Sequence, residues 1–362
     1  GASFRTDAGR NATATVNVNT LPLPTAQIRI FVFEDTQPIN NAPDLPEEQG
    51  LAGFQVFLEE PCGRYGSCGG QILQDVFGDP LCSDGPTPGV CRTDENGVVT
   101  IKNLAPGKYG VIIQPPLGEG WMQTSTIEGS PVIDAWVKAN EPPFFTEFGP
   151  PGPHVFVGFV KEFDCFADAN SAPQCKDADG DPIYTGGGVT LQGQIVNTHN
   201  SRPPDYTFYK GAVFPDAIVG LNDLSRGANG VGAYMAKTVG DSQFVIPNVP
   251  PGTYQLAIFD DNLHIVFAAA RVIVNPDGSC ETVDRSCNLG QVSVFNWFGN
   301  AQGNVFYDGN GDGFKGPGEE FLEPAPGSAV NIRWRDGTIY QTAGSSAGTG
   351  FYAFDKVFPF FA

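Results

Sequence analysis

One phrase occurs twice in this chain and echoes a third time: a strand, a Pro-Gly turn and a second strand. The first copy runs from Asn96 to Ile113, with Val98, Thr100 and Leu104 at period-2 strand spacing. Pro106-Gly107 supplies a fixed φ followed by a residue that tolerates φ > 0, the demand of a type II turn. Tyr109 and Val111 begin the return strand. The second copy runs from Asp241 to Ile258, with Pro251-Gly252 at its turn and Tyr254 after it. The echo spans Gly350 to Phe361, where Val357-Phe-Pro-Phe-Phe361 replaces the turn phrase. Read as hairpins, these copies count three modules of one kind.

Composition agrees with short strands joined by tight turns. Gly (46) and Pro (31) make up about a fifth of the 362 residues. Hydrophobic residues reach 41%, with 28 Phe, enough for real cores. No window carries capped i, i+3, i+4 apolar spacing, so almost no helix is expected. The fold class is all-β, as tandem immunoglobulin-like or prealbumin-like β-sandwich modules. A net charge of −20 repels phosphate backbones and anionic lipid, which argues against nucleic acid as a partner. No apolar run is long enough for a membrane span. The chain has no signal peptide and begins with Gly, so it is expected to be a mature form, a processed piece or an excerpt.

Eight Cys fall as four close pairs: Cys62/Cys68, Cys82/Cys91, Cys165/Cys175 and Cys280/Cys287. An even count in Gly- and Asp-rich loops reads as disulfides and an oxidising, extracellular setting. The alternative, zinc, lacks C-x2-C spacing and nearby His. Connectivity among Cys62, Cys68, Cys82 and Cys91 stays open at this level.

The phrases divide the chain. Residues 1–25 hold the alternating stretch Asn11 to Thr20, an N-terminal strand or arm, with a formal glycosylation sequon at Asn11-Ala12-Thr13. Residues 26–160 form a module with a disulfide-bearing insertion. Residues 161–187 are an acidic, disulfide-clipped linker. Residues 188–298 form a second module. Residues 299–362 form a third that looks incomplete beside the roughly 100 residues a sandwich needs.

Gln243 to Tyr254 resembles the carboxypeptidase-regulatory-like, prealbumin-like sandwich module, and Asn96 to Tyr109 resembles the collagen-adhesin B-type form of it. Asn304 to Glu320 resembles the opening of the calcium-binding B repeats of serine-aspartate repeat surface proteins. The resemblance implies surface stalks, adhesins and fibres, in which such modules act as spacers or scaffolds. B-type domains often carry an internal Lys–Asn crosslink with Lys on an early strand. Here the first Lys is Lys102 and the early strand carries Arg29, so disulfides and calcium are expected to fill that role.

Asp308-x-Asn310-x-Asp312-Gly313-x5-Glu319 fits the EF-hand loop template at every position. Asp308, Asn310 and Asp312, the Phe314 carbonyl and a bidentate Glu319 are the expected ligands of a structural Ca²⁺. A degenerate cousin in module one offers Asp35, Asn40, Asp44 and Glu47, without the turn glycine. Asp177, Asp179 and Asp181 form a third acidic cluster that is either a cation site or a polar linker.

Enzymatic signatures fail on inspection. Gly344-Ser-Ser346-Ala-Gly348 satisfies G-x-S-x-G, but the last His is His264, upstream of it, against the chain order of that motif. His154, His199 and His264 are scattered among modules. Phe144, Phe145 and Phe148, or Phe358, Phe360 and Phe361, read as core, as a carbohydrate platform or as a subunit interface. The expectation is a non-enzymatic extracellular structural protein, a stalk, adhesin segment or fibre subunit, polymerising by strand donation from the arm. Its partners are copies of itself, other surface proteins or glycans. The alternative is a carbohydrate- or protein-binding accessory module of a larger secreted enzyme.

Overall fold

The computed structural model describes residues 24–37, 42–61, 67–124, 132–142, 144, 152–200, 208–214, 216–227, 230–260, 268–294, 299–322, 330–333, 339–346 and 348–357. The arm before residue 24, Asn40, Cys62, Phe145, Phe148 and the last five residues lie outside them, as does the side chain of Cys68. The described residues are all-β, with one 3-10 turn at Pro173–Cys175.

Module one contains β1 (Ala26–Glu34), β2 (Gln55–Pro61), β3 (Ser67–Ile72), β4 (Cys91–Arg92), β5 (Val98–Leu104), β6 (Gly107–Gln114), β7 (Met122–Gln123), β8 (Val132–Val137) and β9 (Val155–Val160). They form two sheets, β5-β1-β9-β7 and β3-β2-β6-β8, with β4 beside β2. Alternation sets the core: Ile28, Ile30 and Val32 of β1 face Leu58, Val111 and Ile113 of the opposite sheet in one buried cluster.

Module two repeats the plan with β10 (Phe163–Asp164), β11 (Val189–Asn200), β12 (Phe208–Val213), β13 (Ala217–Asp223), β14 (Val231–Lys237), β15 (Gln243–Val249), β16 (Gly252–Asp260), β17 (Ala268–Val274) and β18 (Asn288–Val294). One sheet runs β10-β14-β13-β16-β17; the other runs β12-β11-β15, with β18 also on β11. In both modules a closing strand returns parallel to the opening one, β9 to β1 and β18 to β11. Module three shows β19 (Gly299–Asn304) paired with β22 (Phe351–Val357), and β20 (Val330–Arg333) with β21 (Ile339–Ala343).

The repeated phrase is two strands as expected, but they do not pair with each other as a hairpin. β5 pairs with β1, whereas β6 pairs with β2 and β8 in the facing sheet. β15 pairs with β11, whereas β16 pairs with β13 and β17. Each phrase therefore carries the chain from one sheet across the core to the other. The reason is local. Asn103 and Asn248, at matching positions, adopt left-handed φ of 58° and 57° at a register shift in each ladder, one residue before the pairs Leu104–Ala26 and Val249–Val189. Pro106 and Pro251 then lack the N–H that would continue one. Each crossing is latched by its tyrosine: Tyr109 donates its hydroxyl to the Ala105 carbonyl at 2.6 Å, and Tyr254 to the Pro250 carbonyl at 2.9 Å. This is the tyrosine-corner arrangement of β-sandwiches, made twice.

The acidic segment 161–187 seats one module on the next. Phe163 and Asp164 pair with Met235 and Tyr234 of β14, and the Cys165–Cys175 disulfide is buried. Around it a third apolar cluster joins Met122 and Val160 of module one to Ile218, Met235 and Phe259 of module two through Phe163. On the same seam Gly232 lies so close to the Thr36 carbonyl that an added Cβ would stand 2.2 Å from the oxygen.

Candidate metal centre

In module three the loop Asp308–Glu319 hangs from a short ladder. Val305 N–H bonds the Gly350 carbonyl, Leu322 N–H bonds the Val305 carbonyl, and Phe306 bridges Phe321 at the loop's neck. Asp308 Oδ1 accepts from the N–H groups of Gly311 (2.6 Å) and Asp312 (3.2 Å), and Oδ2 from Gly313 (2.9 Å). Those donors, Gly313 first, hold the Asp308 carboxyl below its ordinary range. Glu319 braces the neck: Oε1 accepts from Gly309 at 2.9 Å and Oε2 from Gly316 at 2.8 Å. Asp312 accepts from Phe314 N–H at 2.7 Å and from Asn310 Nδ2 at 2.9 Å.

The carboxylates of this loop are thus engaged with backbone N–H groups. Among the described residues no set of three or more His, Cys, Asp or Glu is arranged to hold a metal ion. A Ca²⁺ held by the template's ligands would take the Asp312 and Glu319 carboxylates from these donors.

The cousin in module one has the same brace one residue later than the sequence indicates. Glu47 is exposed. Glu48 is 1% exposed and takes the place of Glu319: its Oε1 accepts from Thr36 N–H (2.9 Å), the residue after Asp35, as Gly309 follows Asp308. Oε1 also accepts from Gln37 (3.2 Å), and Oε2 from Asp44 (2.8 Å). Asp35, fully buried, accepts from Gln37 N–H at 3.1 Å and from the Thr124 hydroxyl. Burial and then the Asp35 charge push Glu48 up to about 8. The signal for Glu48 was present in the sequence as the Glu47-Glu48 pair, but only burial separates the two.

The Asp177 cluster is a turn. Asp177 Oδ1 accepts from Asp179 (3.0 Å) and Asp181 (2.9 Å), with Gly180 at φ 87°. Asp75 and Asp94 make the same bonds in their own loops, to Phe77 and Asp79 and to Asn96 and Val98. Three disulfides stand among the described residues: Cys82–Cys91, Cys165–Cys175 and Cys280–Cys287. The first resolves the open pairing for Cys82 and Cys91.

No family profile and no curated sequence matches the chain. Solved structures similar to it include the Bacillus anthracis TIE protein, at 12% identity and TM-score 0.21, covering 92% of this chain and 44% of that one. They also include a streptococcal ancillary pilin (9%, TM-score 0.22, covering 92% and 87%) and the major pilin subunit of Bacillus cereus (11%, TM-score 0.22, covering 92% and 85%). This chain spans less than half the length of the first of these. The β-sandwich assignment rests on the strand pairing itself.

Proposed function

We propose that this chain is an extracellular structural protein, a stalk, adhesin segment or fibre subunit, and not an enzyme. The observation that carries the reading is the apolar seam of Phe163, Met235, Ile218, Met122 and Val160, which joins two sandwiches into one body. A tethered catalytic accessory needs no such seam; a load-bearing spacer does. Local disulfides, and no helix of membrane-spanning length and apolarity among the described residues, agree with a secreted or cell-surface location.

Copies join by strand donation. The stretch Asn11 to Thr20 alternates Ala12, Ala14, Val16 and Val18 with Thr13, Thr15, Asn17 and Asn19, giving one apolar and one polar face. The Asp308–Glu319 loop takes Ca²⁺ as a structural ion, with the ligand set of its template. Two experiments test these readings. Light scattering on the full chain and on a chain lacking residues 1–20 should show large assemblies only for the former; equal masses refute strand donation. Calcium should raise the melting midpoint of the third module and EDTA should reverse it. An unchanged midpoint in the native chain removes calcium, and Glu319→Gln should lose the response.

A further inference from the structure

In modules one and two the opening strand lies between two neighbours. β1 runs between β5 and β9, and β11 between β15 and β18, with the closing strand parallel to the opening one. β19 opens module three and pairs with β22, the strand of the third phrase. Among the described residues no strand meets its other edge. Val305 donates its N–H to the Gly350 carbonyl beside β22 at 2.9 Å. Main-chain groups alternate along a strand, so the N–H and C=O of Gln302 and Asn304 turn to the open edge.

The core beneath that edge is thin. Ala301 and Gly303 of β19 are half-buried, whereas Ile28, Ile30, Leu191 and Ile195 of the other two opening strands are fully buried. Two other edges are guarded. β5 carries the Val76 loop, whose N–H donates to the Asn103 carbonyl at 3.0 Å, and β15 carries Pro247, which cannot extend a ladder.

The stretch Asn11 to Thr20 matches β19 in kind. β19 alternates Gly299, Ala301 and Gly303 with Asn300, Gln302 and Asn304, as the arm alternates Ala and Val with Thr and Asn. Side by side, the two strands would stack amides and hydroxyls on one face and set Val16 and Val18 beside alanine and glycine on the other. Neither strand carries a charge, so they meet without repulsion in a chain of net charge −20. β1 begins at the end of module one opposite the seam, because its far end leads to Thr36 against Gly232. Its 9 residues span about 30 Å. With the arm docked, residues 21–25 are its tether, a reach of at most about 18 Å. That falls short of the chain's own seam, so the occupant is the arm of another molecule. We propose that the open edge of β19 receives the arm of a second copy as a parallel strand, in the place that β9 and β18 take in modules one and two. This rests on the strand donation proposed above and names its acceptor.

The test is sedimentation velocity of the full chain and two full-length variants, with amide hydrogen exchange on the same samples. Gln302→Pro removes an edge-facing N–H and spares the pairing of Ala301 and Gly303 with β22. The double variant Val16→Asp/Val18→Asp spoils the apolar face of the arm. The native chain should assemble and both variants should not. The amides of Gln302 and Asn304 should exchange about tenfold or more slowly in the native assemblies than in the arm variant. This second readout needs only an intact β19, which keeps the test valid if Gln302→Pro unfolds module three. Assemblies that persist in a folded Gln302→Pro, or native assemblies in which these amides exchange fast, overturn β19 as acceptor and leave donation to another edge standing. Assemblies that persist in the arm variant overturn donation itself, and the acceptor with it. A native chain that stays monomeric overturns the proposal as well; slow amides in that monomer would mark a strand of the same molecule on the edge.

Discussion

Replacing Phe163 with Ala should uncouple the first two modules. The ring is 6% exposed, belongs to the seam cluster, and its Cζ lies against Gly232. Removing a buried phenyl group costs about 3–5 kcal/mol, the lost transfer energy plus the cavity left behind. Part of that loss falls on the cluster shared with Met122 and Val160 of module one, so coupling between the modules should weaken together with module two itself. Scanning calorimetry of the native chain should show modules one and two melting together; the variant should show two transitions. A second perturbation reaches the seam from the other side. Gly232→Ala leaves no cavity but drives a methyl into the Thr36 carbonyl, and should split the transition as well. Phe163→Leu should retain most of the coupling. If Phe163→Ala melts within about 1 °C of the native chain with one transition, far less than the several degrees expected per kcal/mol, the seam does not join the modules.

Three other outcomes follow from single groups. Tyr109→Phe and Tyr254→Phe should each cost about 1 kcal/mol by removing the hydroxyl latch, read from denaturant midpoints with an unchanged slope. Glu48 binds its proton more tightly in the folded chain than at the unfolded value of 4.5. Stability from this group is full below that value and falls as pH climbs through about 8, by at most about 1.4 kcal/mol per unit, a slope that Glu48→Gln should flatten. His154 has the opposite sign: burial holds it below 6.5, so its contribution is full above that value and lost as pH falls beneath it, which His154→Gln should abolish in an acid titration.

The residues made some of this legible and hid the rest. Pairs such as Cys165/Cys175 and Cys280/Cys287 were readable because short separations leave few other partners. The strand phrases were readable because alternation is local. Their destination was not: a Pro-Gly turn suits a hairpin or a crossing, and only the pairing of β5 with β1 and of β6 with β2 and β8 in the facing sheet separates the two. Phe163 and Asp164 escaped because two residues in an acidic stretch carry no period, although their pairing with β14 seats the modules. In the first acidic loop, Glu47 and Glu48 are chemically equal, and only the fold turns Glu48 inward onto Thr36 and Asp44.

Electron microscopy of the concentrated, purified chain is the most direct test of the structural role. Filaments built from end-to-end copies, absent from the chain lacking residues 1–20, are the expected result. Monodisperse single particles from both chains, with modules one and two at variable angles, would contradict it.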